Sequence, residues 1–366
     1  MGANGVLGVK WMHDNNRFVS QAVGTAVVLG KEPQSRIYAE LPPPGPAICS
    51  TLRTAPEGFA VSSTLGIVTA AALSPYRDYG RGGGYSRNNQ RTAMGELVAL
   101  RQAMAKIQAA ATSMGADAVL GVKIEALSIW NCSRFMCVLK GTAVRLSQFE
   151  EMVDQIPYHH SRVEVSAMQT PAKHLCVSRV LGLVSSVGYR QWRWGGFGVA
   201  SNRRRDAESE QETFSAAVNS LIQQAQQAGA NGVMGIKWTH DDDHRSSCLV
   251  GTAVVLSQKP GVPPPSSLDS GRNFFLSNSR SPPAGLAVAH TIGVFSGAGI
   301  SSKLGGWSTQ AIASIDEEAL QAARACLEAQ AAHAGCHAVL GVKLESPETG
   351  LVLLRGTGVQ LAQTAS

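Results

Sequence analysis

The sequence predicts an α+β chain of tandem two-layer units, each a single helix on a three-stranded antiparallel sheet in the order β-α-β-β. Three observations carry this. A nine-residue phrase recurs at Gly2–Lys10 (GANGVLGVK), Gly115–Lys123 (GADAVLGVK), Gly229–Lys237 (GANGVMGIK) and Gly335–Lys343 (GCHAVLGVK). Each copy is followed by a Gly-Thr phrase: Gly24-Thr25, Gly141-Thr142, Gly251-Thr252 and Gly356-Thr357. The last three copies are preceded by a helical periodicity and, before it, a strand-like run. Self-similarity of this kind outranks any local reading.

Residues 1–30 hold a phrase and its Gly-Thr partner alone. Val6–Trp11 and Ala22–Leu29 read as strands around a polar turn at His13-Asp14-Asn15-Asn16, so the segment is an orphan β-hairpin. It has no helix of its own to bury against. The expectation is that it packs on a neighbouring unit or another chain, or that the sequence begins inside a longer protein. Residues 31–57 form a linker, because Pro42-Pro43-Pro44-Gly45-Pro46 cannot continue a helix or a central strand.

The first full unit spans 58–148. Phe59–Leu73 reads as a strand, 75–92 as a loop rich in Gly and Arg, and Met94–Met114 as a helix. Leu97, Leu100, Met104, Ile107 and Ala111 make its apolar stripe. Gly115 takes the αL position that ends it. Strands Val119–Ala126 and Met136–Leu146 follow. After a linker at 149–174, the second full unit (175–258) repeats the order. It has strand Val177–Val187, loop 188–206, helix Ser209–Ala228 with Phe214, Val218, Leu221 and Ala225 inward, and strands Val233–Thr239 and Cys248–Leu256. A Pro/Ser-rich linker at 259–284 leads to the third full unit (285–363). Strand Ala287–Ser296, helix Glu317–Ala334 with Asp316 as its N-cap, and strands Val339–Glu345 and Val352–Leu361 close the chain.

The second glycine of each phrase (Gly8, Gly121, Gly235, Gly341) falls in mid-strand, where glycine marks a bulge or a close backbone approach. Helix-on-strand packing is the expected cause. Small sheets with exposed edges and apolar residues on both faces predict units packed side by side, within the chain and between chains.

A helix ending in GADAVLGVK, and a strand closing on GTAV, resemble the YbjQ-like family, whose members are described as heavy-metal-binding. The first strand with its central Leu65-Gly66, Leu181-Gly182 or Ile292-Gly293 fits as well, as does the long Arg/Gly loop with Arg77-Asp78. The resemblance covers the three full units and, through its second half, residues 1–30. It implies a dodecin-like β-α-β-β subunit and ring assembly, as in the pentamers of single-unit members. Three and a fraction fused units do not close such a ring.

Chemistry is thinner. His240-Asp241-Asp242-Asp243-His244, read as a turn, gathers imidazoles and carboxylates suited to a divalent Zn, Ni or Cu ion, with His240, Asp241, Asp243 and His244 as ligands. The equivalent turns carry His13 and Asp14, Cys132 and Cys137, or Glu345 and Glu348, so no shared ligand set recurs. A solvated turn is the plainer reading. The loops place Arg77 and Arg81 beside Tyr79, and Arg190 and Arg193 beside Trp192 and Trp194. Arg among aromatics suits phosphate contact and base stacking, but equally suits an interface anchor. The third unit's loop holds only Lys303 and Trp307, which disfavours a shared nucleic-acid role.

The chain has 366 residues and net charge +6, which permits an acidic partner without requiring one. Seven Cys with no CxxC read as reduced thiols. No run of about 18 apolar residues is present, so no segment is expected to span a bilayer, and the expected address is the cytoplasm. Gly82-Gly83-Gly84 and Gly195-Gly196 lack a following Lys-Ser/Thr, and no GxSxG or HExxH occurs. The sequence therefore reads as a non-enzymatic assembly and binding module of unknown ligand. Heavy-metal binding is the first alternative and nucleic-acid binding through the loops the second.

Overall fold

The computed structural model describes residues 5–14, 19–27, 38–39, 47–74, 85–129, 134–149, 156–158, 163–189, 199–241, 246–259, 261–262, 274–301, 309–348 and 351–363. Two compact units divide the chain at Ala39/Glu40. The first, Met1–Ala39, holds β1 (Gly5–Asp14), β2 (Val19–Val27) and the two-residue β3 (Tyr38–Ala39). β1 and β2 form the antiparallel hairpin, with Trp11 opposite Ala22 and a register break between Leu7 and Lys10, at Gly8.

The second, Glu40–Ser366, contains three sheet-and-helix repeats. The first has β4 (Ile48–Cys49), β5 (Phe59–Leu73), α1 (Tyr85–Ser113), β6 (Ala118–Ile129) and β7 (Arg134–Phe149). The next has β8 (Ile156–Pro157), β9 (Glu164–Val165), β10 (Leu175–Tyr189), α2 (Val199–Gln227), β11 (Gly232–Asp241) and β12 (Ser246–Gln258). The last has β13 (Phe275–Leu276), β14 (Leu286–Ile300), α3 (Thr309–His333), β15 (Ala338–Glu348) and β16 (Leu351–Gln363). The β-α-β-β order is as the sequence predicts.

Each sheet gains a strand that periodicity does not reveal. β4, β9 and β13 arise in the connectors and pair in parallel with the starts of β6, β11 and β15. Ile48 lies opposite Ala118, Glu164 opposite Gly232, and Phe275 opposite Ala338. β8 adds a short antiparallel contact to β12. The sheets are therefore mixed rather than purely antiparallel.

The helices begin earlier than their apolar stripes. α1 starts at Tyr85 and α2 at Val199, inside stretches whose Gly and Arg content suggests loop. Asp316 stands inside α3 rather than at its N-cap, because the helix starts at Thr309. The C-termini match expectation. Gly115, Gly229 and Gly335 have φ of 73°, 78° and 78°, the αL turn that costs an L side chain about 1–2 kcal/mol. The backbone N–H of Ala116 then donates to Ala111 O at 3.1 Å, closing the helix end.

The core runs between repeats as well as inside them. On α1, Leu100, Ala103, Ile107 and Ala111 are buried with Val68, Ala70 and Ala72 of β5, and Leu183, Val187 and Val250 of the next repeat join them. Phe214, Leu221 and Ala225 of α2 likewise share a cluster with Val294 of β14. α1 and α2 thus each cover their own sheet and the first strand of the following one. Among the described residues, no helix is long and apolar enough to cross a membrane.

Candidate functional site

The two repeated phrases build the junctions between repeats. Gly121, Gly235 and Gly341 have φ of 65°, 63° and 65°. Each sits at a register break, between Leu120 and Lys123, Met234 and Lys237, and Leu340 and Lys343. These are β-bulges in which glycine supplies the positive φ. The expected close approach is present, but a connector makes it rather than a helix. The backbone N–H groups of Gly121, Gly235 and Gly341 donate to Leu52 O, Met168 O and Ser279 O at 2.6, 2.8 and 2.8 Å. A segment that leaves β4, β9 or β13 must fold back over the bulge to reach these donors.

The Gly-Thr phrases serve the same junctions. A Cβ on Gly141, Gly251 or Gly356 would lie 2.5–2.6 Å from Val119, Val233 or Val339 Cγ1, so glycine lets the phrase valine close over its partner strand. The following threonine is a latch to the preceding repeat. Thr252 Oγ1 accepts from the backbone N–H of Thr51 at 2.7 Å and contacts Thr51 Oγ1 at 2.8 Å. Thr357 Oγ1 accepts from Ala167 N at 3.0 Å. Both threonines are fully buried, whereas Thr142, with no repeat before it of this kind, is half-buried.

The same asymmetry marks the first strands. Pairing places Gly66, Gly182 and Gly293 in register with Ala143, Ala253 and Gly358, so Ile67, Leu183 and Val294 are equivalent. Val294 is 9% exposed and Leu183 packs into the core beneath α1, but Ile67 is 44% exposed. Thr69 and Ala71, on the Ile67 side of β5, are exposed, while the two counterparts of Thr69, Ser185 and Ser296, are buried and those of Ala71, Val187 and Ala298, are half-buried. At the opposite end α3 shows Ala322, Ala325, Ala329 and Ala332 to solvent. There Arg324 stands where α1 has Met104 and α2 has Val218, paired with Glu328 at 2.8 Å.

The phrase-ending lysines form a cationic row along the bulges. Burial, then Arg280, Lys343, Arg53 and Lys123 in that order, pull the Lys237 ammonium down to about 8. Arg53 and Arg280 hold equivalent connector positions, with Gln169 between them in the series. Their stems cross the glycines: Arg53 Cγ lies 3.7 Å from where a Cβ would stand on Gly121, and Arg280 Cγ 3.3 Å from that of Gly341. Lys343 Nζ stands 5.1 Å over the Trp238 ring. A small cavity beneath is lined by Trp238, Arg280, Gly341, Lys343 and Thr357.

Behind that wall the junction is held by an ion pair between a buried arginine and a half-buried glutamate. Arg355, 1% exposed, donates from Nη1 to Glu345 Oε2 at 2.6 Å. Trp238 Nε1 donates to Glu345 Oε1 at 2.8 Å, and the Arg355 guanidinium lies 4.6 Å over the Phe214 ring.

A second polar cluster lies between the last two repeats. Tyr158 Oη donates to Glu164 Oε1 at 3.0 Å and lies 3.5 Å from His290 Nδ1. The His174 and His290 rings meet edge-on at 5.6 Å. His174 is buried, and neither of its ring nitrogens meets a hydrogen-bond partner among the described residues. Burial and then His290 lower its pKa.

The sequence-predicted ligands sit elsewhere. His240 and Asp241 belong to β11, opposite Ser247 and Ser246, rather than to a turn. Asp243 and His244 lie outside the described residues, as do Arg77, Tyr79, Arg81, Arg190, Trp192, Arg193, Trp194 and Cys132. Cys137 is fully buried in the first repeat, and burial pushes its thiol up to about 12. Cys49 and Cys336 are pushed up to about 11 and about 12 by the same cause, so these thiols are poor metal ligands at neutral pH. Among the described residues no three His, Cys, Asp or Glu side chains converge on a point that could hold a metal ion.

Residues 83–147 match the YbjQ family model, whose description reads "Putative heavy-metal-binding". The matched segment contains α1, β6 and most of β7. No curated protein is similar enough to the chain to count as a relative. The donors described in the matched segment do not compose a metal site.

Proposed function

We propose that the chain is a non-enzymatic assembly module that extends its own internal junction to a second copy, α3 of one chain lying across β5 of the next. The exposure of Ile67, against the cover over Leu183 and Val294, carries this reading. The alanine-rich outer face of α3 allows the close approach to a strand that α1 and α2 already make. The exposed connector residue Asn278, equivalent to Thr51 and Ala167, supplies the backbone N–H for Thr142. Arg324 in place of an apolar residue makes the contact weaker than the internal ones, so association is concentration-dependent. Sedimentation equilibrium tests this. Ile67→Glu abolishes association and Arg324→Met tightens it; the reading is lost if neither moves the equilibrium.

Heavy-metal binding is the second reading, and the family description over residues 83–147 favours it. On this reading His240, Asp241, Asp243 and His244 provide the borderline nitrogen and oxygen donors suited to Zn, Ni or Cu. Metal titration with a mass readout tests it. Stoichiometric uptake lost in His240→Ala/His244→Ala supports it, and uptake unchanged in that variant removes these residues.

A further inference from the structure

The phrase-ending lysines are unused by either reading above. Lys123, Lys237 and Lys343 come from three different repeats, at the same register position after the same bulge. Arg53 and Arg280 add two more cations from the connectors. Glu345 is the carboxylate that acts on Lys343, and both its oxygens are engaged by Arg355 and Trp238. Like charges gathered this way repel, and burial of Lys237 deepens the cost. The arrangement gains stability when a counter-charge enters.

We propose that this row of Lys123, Lys237, Lys343, Arg53 and Arg280 binds a compact multivalent phosphate anion of the inorganic triphosphate or polyphosphate class. The bulge glycines leave room for the two arginine stems, with Arg53 Cγ 3.7 Å and Arg280 Cγ 3.3 Å from the Cβ positions of Gly121 and Gly341. Arginine forks and lysine point charges are the donors that phosphate oxygens take. Lys343 and Arg280 line one small, water-sized cavity together, which sets these two cations at a common edge. Gln169, at the neutral position between the two arginines, has no hydrogen-bond partner for either end of its amide among the described residues. That amide is buried against the bulge, its nitrogen 3.1 Å from where a Cβ would stand on Gly235.

The ligand is a bare phosphate chain rather than a nucleic acid because the described residues around the row offer no base platform. Trp238 is the aromatic side chain in the cavity lining, it is 7% exposed, and Lys343 already covers its ring. Base stacking needs an open face. The charges, by contrast, are accessible: Lys123, Lys343, Arg53 and Arg280 are exposed and Lys237 is half-buried.

Titration calorimetry with inorganic triphosphate at fixed ionic strength tests the site. The full chain binds triphosphate more tightly than orthophosphate, and proton uptake accompanies binding near pH 8 as Lys237 becomes charged. Lys237→Gln and Lys343→Gln each weaken affinity about tenfold, the size expected when one charged hydrogen-bonding group is removed. Arg280→Gln, an exposed change on a connector, weakens it similarly and serves if a lysine variant fails to fold. The Tm of the wild type rises with triphosphate, whereas Lys237→Gln has a higher Tm without it. No binding at millimolar triphosphate, unchanged affinity in these variants, equal affinity for orthophosphate, or binding of an oligonucleotide in its place would each overturn the proposal.

Discussion

Arg355 donates to Glu345 across 2.6 Å with its guanidinium almost fully buried. The pair spans one sheet, yet its surroundings belong to the preceding repeat: Phe214 beneath the guanidinium, Ser247 at 3.4 Å, and the Trp238 indole on the carboxylate. Burial pulls the Arg355 pKa down, while Glu345 and Glu210 hold it up. Removing the carboxylate leaves a buried cation without its ion-pair partner. Glu345→Ala is therefore expected to cost about 3 kcal/mol, read as a lower midpoint in urea. Arg355→Met, which removes the charge and keeps the volume, costs less.

The bulge glycines allow a comparison that separates backbone strain from contact. Gly121 and Gly235 share a φ near 65°, so alanine at either meets the left-handed penalty of about 1–2 kcal/mol. At Gly121 the nearest atom is Arg53 Cγ at 3.7 Å, ordinary contact. At Gly235 the new Cβ would stand 2.7 Å from Thr51 Oγ1, the hydroxyl that also donates to Met234 O and contacts the latch on Thr252. Gly235→Ala is expected to destabilise more than Gly121→Ala, measured as paired urea midpoints.

His174 gives the fold an acid limit. Its pKa is lowered in the folded state, so the unfolded chain binds the proton more readily. The stability contribution is complete above the ordinary histidine pKa of about 6.5 and is lost as pH falls from there through the folded value. Tyr158 and His290 face the ring, and neither supplies a negative charge near neutrality. His174→Phe is expected to flatten the stability-versus-pH curve below about pH 6.5. A slope unchanged from wild type would place the acid loss at other groups.

Lys237 answers to the opposite chemistry. With its pKa near 8, its neutral amine fraction at pH 8 exceeds that of an ordinary lysine about a hundredfold. Because the folded value is the lower one, stability rises with pH between about 8 and the ordinary lysine range. Acylation mapped by peptide mass at pH 8 should label Lys237 ahead of exposed lysines such as Lys106. Triphosphate should protect it.

The repeats, their order and their helix ends were legible because glycine phrases and apolar stripes encode them locally. Gly115, Gly229 and Gly335 announce the αL turn, and Leu100, Ile107 and Ala111 announce the face. The connector strands were not legible by periodicity, since Ile48-Cys49, Val165 with Glu164, and Phe275-Leu276 are too short to show one. A weaker signal exists: a serine follows each pair, at Ser50, Ser166 and Ser277, and its Oγ accepts from the backbone two residues on at 3.0 Å. The lysine row was hidden for another reason. Each lysine is plain in its phrase, but their convergence depends on how the repeats pack. Asp316 misled because α3 already runs from Thr309, which places this capping type of residue about two turns inside the helix.

On the proposed assembly, β5 is an open junction completed by a second copy. Native mass measured over a range of concentrations tests it most directly. Masses at whole multiples of the 38.5 kDa chain, rising with concentration and lost in Ile67→Glu, are the predicted result. A single-chain mass at every concentration, unchanged by Arg324→Met, would contradict it.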